Sequence, residues 1–134
     1  MKLYIYILIF AFSYSAQSKE LDCDNALTTI EINVCAGRTL DIAETELKTY
    51  IATAEQKYAS EKNVIEALQK SQFAWINYRK SHCYAIYEKW SRGTIRGVMF
   101  SSCMLQLTKE RTHTIWSDYL KYMDATPPLL PEPK

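Results

Sequence analysis

The chain has 134 residues, with 16 basic and 15 acidic side chains and a formal net charge of +1. That length holds one domain, and near-neutrality without a concentrated basic face or a recognition motif excludes an ordinary nucleic-acid binder. Only 3 glycines and 4 prolines are present, the prolines all at 127, 128, 131 and 133, which favours long helices over a turn-rich sheet.

Met1-Lys2 give a short positive start, Leu3 to Phe12 form an apolar run, and the small residues Ser13, Ser15, Ala16 and Ser18 follow. This is the order of a secretory signal. It is expected over residues 1–18, with cleavage after Ser15 or after Ser18. The apolar run is shorter than the roughly 20 residues of a membrane span, so export is expected, with no stable membrane insertion after cleavage. Beyond the signal the charge is uneven: residues 19–66 carry ten acids and five bases, and residues 67–134 carry five acids and ten bases. The acidic half suits either a basic partner or a solvated helix face paired with its neighbour.

The four cysteines, Cys23, Cys35, Cys83 and Cys103, lie 12, 48 and 20 residues apart. An even number in a short exported chain reads as a disulfide framework with three connectivities. No C-x-x-C pair is present and the histidines are His82 and His113 alone, so no metal and no cofactor are expected.

The first helix is expected to begin near Thr28, where Thr28-Thr29-Ile30-Glu31 matches a capping box. Ala36, Leu40, Ala43, Leu47, Tyr50 or Ile51, Ala54 and Tyr58 then recur at alternating steps of three and four, the seam of an amphipathic helix. Gly37 leaves open whether this is one helix or two. Lys62-Asn63 reads as a turn or cap. A second seam runs through Ile65, Leu68, Gln72, Trp75, Arg79, Cys83, Ile86 and Trp90, ending around Ser91-Arg92-Gly93, where glycine suits a helix C-terminus. The loop Arg92–Gly97 follows. A third helix is expected from about Val98 to Met123, with Cys103, Leu107, Arg111, Ile115 and Tyr119 or Tyr122 inward. Pro127 to Pro133 cannot continue it, and residues 124–134 are expected to form a loose tail.

Helix geometry selects the disulfides. Cys83 and Cys103 both sit roughly 10–12 Å from the hairpin tip, at about 1.5 Å per residue, so they are level on antiparallel helices as a bridge requires. Cys23 is left for Cys35, and the few extended residues before Thr28 can fold back far enough to reach it. In the chain-entropy model each bridge contributes about 3 kcal/mol.

The residues offer little to a catalyst: no nucleophile elbow, phosphate-cradling loop or His-Glu helix motif is present. His82 adjoins Cys83, but an exported cysteine beside a level partner is ordinarily oxidised. Glu44 with Glu46 or Asp41 reads as a charged face rather than a glycosidase pair. Arg79 and Arg111 fall on or near the apolar seams, where an arginine must be paired; Tyr78, Glu44, Glu110 and Asp41 are the candidate partners. Tyr84, Tyr87, Trp90, Met99 and Phe100 gather around the loop, a composition shared by interface hot spots and by the capped end of a helical core.

The ordered landmarks are Asp22-Cys23, Thr29-x-Glu31-x-Asn33-x-Cys35, Ala43 to Leu47, Gln72-x-x-Trp75-Ile76-x-Tyr78-Arg79-x-x-x-Cys83, Ser102-Cys103 and Leu107-Thr108-x-Glu110-Arg111. This series resembles the LprI-type lysozyme-inhibitor domain family, which includes YecT-like small exported bacterial proteins. The resemblance covers about residues 22–120. It implies an all-helical fold with disulfides, a periplasmic or secreted location and inhibition of host lysozyme, and it marks Trp75, Tyr78, Arg79, Glu110 and Arg111 as structural motif residues. The chain departs from the family pattern at Glu44-x-x-Leu47-Lys48 and in the loop Arg-Gly-Thr-Ile-Arg-Gly, where a partner would bind.

The expectation is therefore an all-α protein, a small antiparallel bundle of about three long helices over residues 19–123 with two disulfides. It is read as a non-enzymatic binding protein that inhibits lysozyme-like glycosidases, with Arg92, Thr94, Ile95 and Arg96 as the candidate interface. The other reading is an envelope or immunity-type protein that binds another secreted factor. The sequence leaves oligomeric state open.

Overall fold

The computed structural model describes residues 21–134, so the expected signal segment and both expected cleavage positions lie outside the described residues. Three helices follow one another, α1 (Thr29–Lys57), α2 (Lys62–Lys89) and α3 (Arg96–Ile115), and the path of α3 widens into a π-helical turn over Trp116–Leu120. There is no strand among the described residues. The fold is the all-helical one expected.

The capping box at the start of α1 is complete. The Glu31 backbone N–H donates to Thr28 Oγ1 at 3.2 Å, and the Thr28 N–H donates to the Glu31 carboxylate at 2.9 Å. Gly37 does not interrupt the helix. A glycine costs only about 1 kcal/mol in a helix interior, less than the capped start and long buried seam on either side return. Ala43, Leu47, Tyr50 and Ala54 are buried at steps of four, three and four, the seam the sequence shows.

Lys62 and Asn63 lie inside the first turn of α2 rather than forming a turn of their own; the flanking residue is Glu61, with no side-chain cap. The seven seam positions of α2, and Trp90 just past its end, are buried or half-buried, and Leu68 and Cys83 are fully so. The helix ends at Lys89, with the Trp90 N–H still reaching the Ile86 and Tyr87 carbonyls. Gly93 does not act as a left-handed stop, since no glycine has positive φ.

The third helix starts at Arg96, two residues before Val98, and the helical path stops at Leu120 rather than Met123. Its most buried residues are Met104, Thr108, Thr112, Ile115, Trp116 and Leu120, while Cys103, Leu107, Arg111 and Tyr119 are half-buried. The deepest stripe is thus rotated by one residue from the expected one. The reason is that α3 is central, packing against both α1 and α2, and so buries two adjacent stripes. Threonine is tolerated on the inner one because its hydroxyl bonds back along the helix: Thr108 Oγ1 donates to the Met104 carbonyl at 2.6 Å and Thr112 Oγ1 to the Thr108 carbonyl at 2.9 Å.

Chain direction follows from two contacts. Lys57 at the end of α1 donates to the Tyr119 carbonyl at 2.8 Å, beyond the end of α3. A side chain at Gly97, near the start of α3, would overlap the Asn33 amide near the start of α1. Hence α1 and α3 run parallel, with α2 antiparallel to both. The core gathers Leu47, Tyr50, Ala54, Leu68, Ile115, Trp116 and Leu120, flanked by Ile51, Trp75, Tyr119 and Leu130.

Leu130 corrects the expectation of a loose tail. The Leu129 N–H donates to the Leu120 carbonyl at 3.4 Å, Trp116 Nε1 donates to the Leu130 carbonyl at 2.9 Å, and the Tyr50 hydroxyl donates to the Pro131 carbonyl at 2.8 Å. Proline forbids a helix here but leaves main-chain carbonyls free, and the buried indole and phenol need acceptors. The tail is a strap docked on the core.

Cys23 pairs with Cys35 and Cys83 with Cys103, at Cα–Cα separations of 5.5 and 5.6 Å. These are the pairings expected from the hairpin geometry. The second ties α2 to α3 below the tip.

Candidate functional site

Two constellations carry the polar chemistry, one in the middle of the bundle and one at the hairpin tip. The first centres on Arg79, whose seam position on α2 turns it inward. Its Nη1 lies 2.9 Å from Glu44 Oε1 on α1 and donates to Thr108 Oγ1 on α3 at 2.6 Å, so one guanidinium joins all three helices. Its carbon lies 4.7 Å from the centre of the Trp75 ring, a cation–π contact strengthened by partial desolvation. The Arg79 Nε is buried without a hydrogen-bond partner.

Arg111 flanks the same indole, 6.0 Å from the Trp75 ring centre. It finds neutral partners: Nε donates to Gln72 Oε1 at 3.1 Å and Nη2 to Ser71 Oγ at 2.9 Å. Burial pushes its pKa below the ordinary arginine value, against the opposing pull of Tyr119 and Asp118. Of the five motif residues, the structure therefore brings Trp75, Arg79 and Arg111 together. Tyr78 is exposed and stacks on His82 with ring centres 5.6 Å apart. Glu110 is exposed and accepts from Gln106 at 3.0 Å. Among the candidate partners for the arginines, Glu44 is the one used. Thr108 was missed, although the row Met104–Thr108–Thr112 at steps of four was visible in the sequence.

This constellation is a brace. Glu44, weighed as a glycosidase-type acid, is held by Arg79, and Cys83, weighed as a nucleophile beside His82, is in a disulfide. Among the described residues no three His, Cys, Asp or Glu side chains gather to hold a metal ion.

The second constellation is the tip. Trp90 to Ile95 connect α2 to α3 through short turns, the Gly93 N–H donating to the Trp90 carbonyl at 2.9 Å. Arg92, Thr94, Ile95 and Arg96 are all exposed. Arg96, the first residue of α3, rests its guanidinium carbon 4.5 Å above the Tyr87 ring. Tyr87 in turn lies beside Tyr84, with ring centres 6.0 Å apart and planes 21° from parallel, and meets Phe100 edge-on at 6.1 Å. The three rings line a shallow groove of about 330 Å³. The two roles open to the aromatic residues are divided: Trp90 and Met99 are half-buried at the end of the core, while Tyr84 is 57% exposed. Gly97, at the start of α3, leaves room for the Asn33 side chain of α1.

The tip arginines form no ion pair among the described residues. The ion pairs among the described residues are Arg79–Glu44 and His113–Glu132, so neither Arg92 nor Arg96 has an acidic partner there. The Glu88 carboxylate, one turn along α2, raises the Tyr84 pKa, against the opposing pull of Arg96. An arginine-bearing apolar tip of this kind can bind an anionic surface.

Comparison with known proteins adds a family. The model of the family described as lysozyme inhibitor LprI matches residues 23–115. An uncharacterized protein of Rhizobium meliloti (strain 1021) is 32% identical over 109 residues, spanning 73% of this chain and 78% of that protein. No solved structure matches.

Proposed function

The chain belongs to the lysozyme inhibitor LprI family, and on that premise we propose that it is an exported binding protein that inhibits a lysozyme-like glycosidase. The observation that carries the reading is the braced hairpin: Cys83–Cys103 ties α2 to α3 beneath a tip whose Arg92 and Arg96 have no acidic partner among the described residues. An inhibitor of this kind needs a stiff projection, because ordering a loose one on binding would consume affinity. It also needs positive charge where the enzyme's catalytic carboxylates lie. The two disulfides support a location outside the reducing cytoplasm, in the periplasm or the medium. Among the described residues, no helix is long and apolar enough to cross a membrane.

The test is a cell-wall turbidity assay with purified oxidised protein against several lysozyme types. Slowed lysis that saturates near equimolar protein supports the reading. Unchanged lysis at several-fold molar excess with every type rejects it.

A further inference from the structure

The tip carries two free arginines, but they differ in how they are held. Arg92 lies in the connecting turn and makes no cation–π contact among the described residues, unlike Arg96. Arg96 opens α3 with its guanidinium carbon 4.5 Å over the Tyr87 ring, which is itself flanked by Phe100 and Tyr84. A guanidinium stacked on an aromatic face keeps its N–H edge pointing outward and loses little rotamer freedom on forming further hydrogen bonds. Around it lie exposed apolar surfaces, Tyr84 at 57% and Ile95 at 41%.

That combination has a specific complement. Glycosidases of the lysozyme class place two carboxyl groups across the scissile bond and stabilise positive charge developing on the sugar ring. Their clefts also present apolar walls to the sugar faces. A planar cation that forms two parallel hydrogen bonds with one carboxylate matches the charge the cleft is built to hold. Flanking aromatic rings match the walls.

We infer that Arg96, mounted on Tyr87, is the group that enters the partner's catalytic cleft and pairs with its carboxylates, with Tyr84 and Phe100 packing against the cleft wall. The inference rests on the inhibitor reading above and adds to it the contact residue and the mode: occupation of the sugar-binding cleft. Arg92 is left on the rim, where charge alters encounter more than affinity.

The experiment measures inhibition constants for the oxidised wild-type protein and for R96A, R96K, R92A and F73S against an inhibited lysozyme, with and without a β-1,4-linked N-acetylglucosamine trisaccharide. Circular dichroism confirms the helical content of each variant; Phe73 is an exposed control residue of α2. R96A is expected to weaken inhibition about 30-fold or more, as for a central hot-spot residue. R96K, which keeps the charge but not the planar fork, is expected to restore only part of it. F73S stays within about 3-fold, and R92A loses less than R96A, as a rim charge does. The trisaccharide competes with the inhibitor. If wild-type protein inhibits but R96A matches it, or if the trisaccharide does not compete, the cleft inference is overturned and the inhibitor reading stands. If wild-type protein inhibits no lysozyme, both fall.

Discussion

Arg79 of α2 and Glu44 of α1 face each other at 2.9 Å although the two helices are otherwise joined chiefly through α3. The pair is half-hidden, with the Arg79 side chain 11% exposed and Glu44 31% exposed. Removing one member leaves the other charge with less compensation in a poorly hydrated site, which costs more than the pair itself contributes.

E44A is therefore expected to destabilise the protein by about 2–3 kcal/mol, somewhat under the value for a fully buried pair because Glu44 is partly solvated and Thr108 still accepts from Arg79. The double variant E44L/R79M is expected to recover much of that loss, since it removes both charges at once. Urea unfolding of the oxidised protein measures both; a double variant no more stable than E44A argues against the brace.

Two glycines in helices should respond in opposite directions to alanine. At Gly37 nothing lies within 4 Å of an added Cβ, so G37A gains helix propensity and is expected to stabilise by about 0.5–1 kcal/mol. At Gly97 the Cβ would overlap the Asn33 amide, whose nitrogen already donates to the Thr29 carbonyl at 2.7 Å. G97A is expected to lower the melting temperature by forcing the start of α3 away from α1. Opposite shifts in thermal unfolding check this.

The strap supplies acceptors to two buried donors. A chain ending at Ala125 leaves the Tyr50 hydroxyl and the Trp116 indole N–H without the Pro131 and Leu130 carbonyls, and it uncovers the core beside Leu130. The expected loss is about 2–4 kcal/mol, from two unmet donors and one apolar side chain. A red-shift of tryptophan emission should accompany it, because Trp116 is buried in the intact protein. Unfolding curves identical to those of the full chain would show the strap to be energetically idle.

The Thr28 and Leu27 N–H groups and the Thr28 hydroxyl hold the Glu31 carboxyl below its ordinary value of 4.5. A carboxylate whose folded pKa is depressed contributes stability that is fully present above its unfolded value and is lost as pH falls through the folded one. Glu31 is exposed to solvent and acts only at the helix start, so the effect is small. The melting temperature of wild-type protein should fall as pH drops from 4.5 into the range below. E31Q should make that limb shallower, with Asp22 and Asp124, also held below their ordinary values, supplying the remainder. Parallel limbs for the two proteins would rule out the capping box as its source.

Much of the architecture was legible from the residues alone because it depends on local physics. The capping box at Thr28 follows from its local motif, and the seam of α1 through Ala43, Leu47, Tyr50 and Ala54 and the inward positions of α2 follow from helical periodicity. The disulfide pairing follows from it too: once Cys83 and Cys103 lie equally far from the tip of a hairpin, helical rise makes them level. Glu44 could be named as a partner for Arg79 for a similar reason, since a charge on an inward face demands an opposite one.

What tertiary structure alone decided depends on which surfaces meet. Packing of α3 against two helices at once turned its deepest stripe by one residue and took Thr108 and Thr112 inside. Sequence periodicity marks only a single face, and a hydroxyl satisfied by its own helix carries no outward sign. The strap was decided in the same way. Proline dictates that residues 127–133 cannot be helical, but where they rest depends on Tyr50 and Trp116, two donors far away in the chain whose need for an acceptor arises only when they are buried. At the tip, Arg96 was visible as an exposed charge; its support on Tyr87 exists only because α2 and α3 meet, and that contact separates it from Arg92.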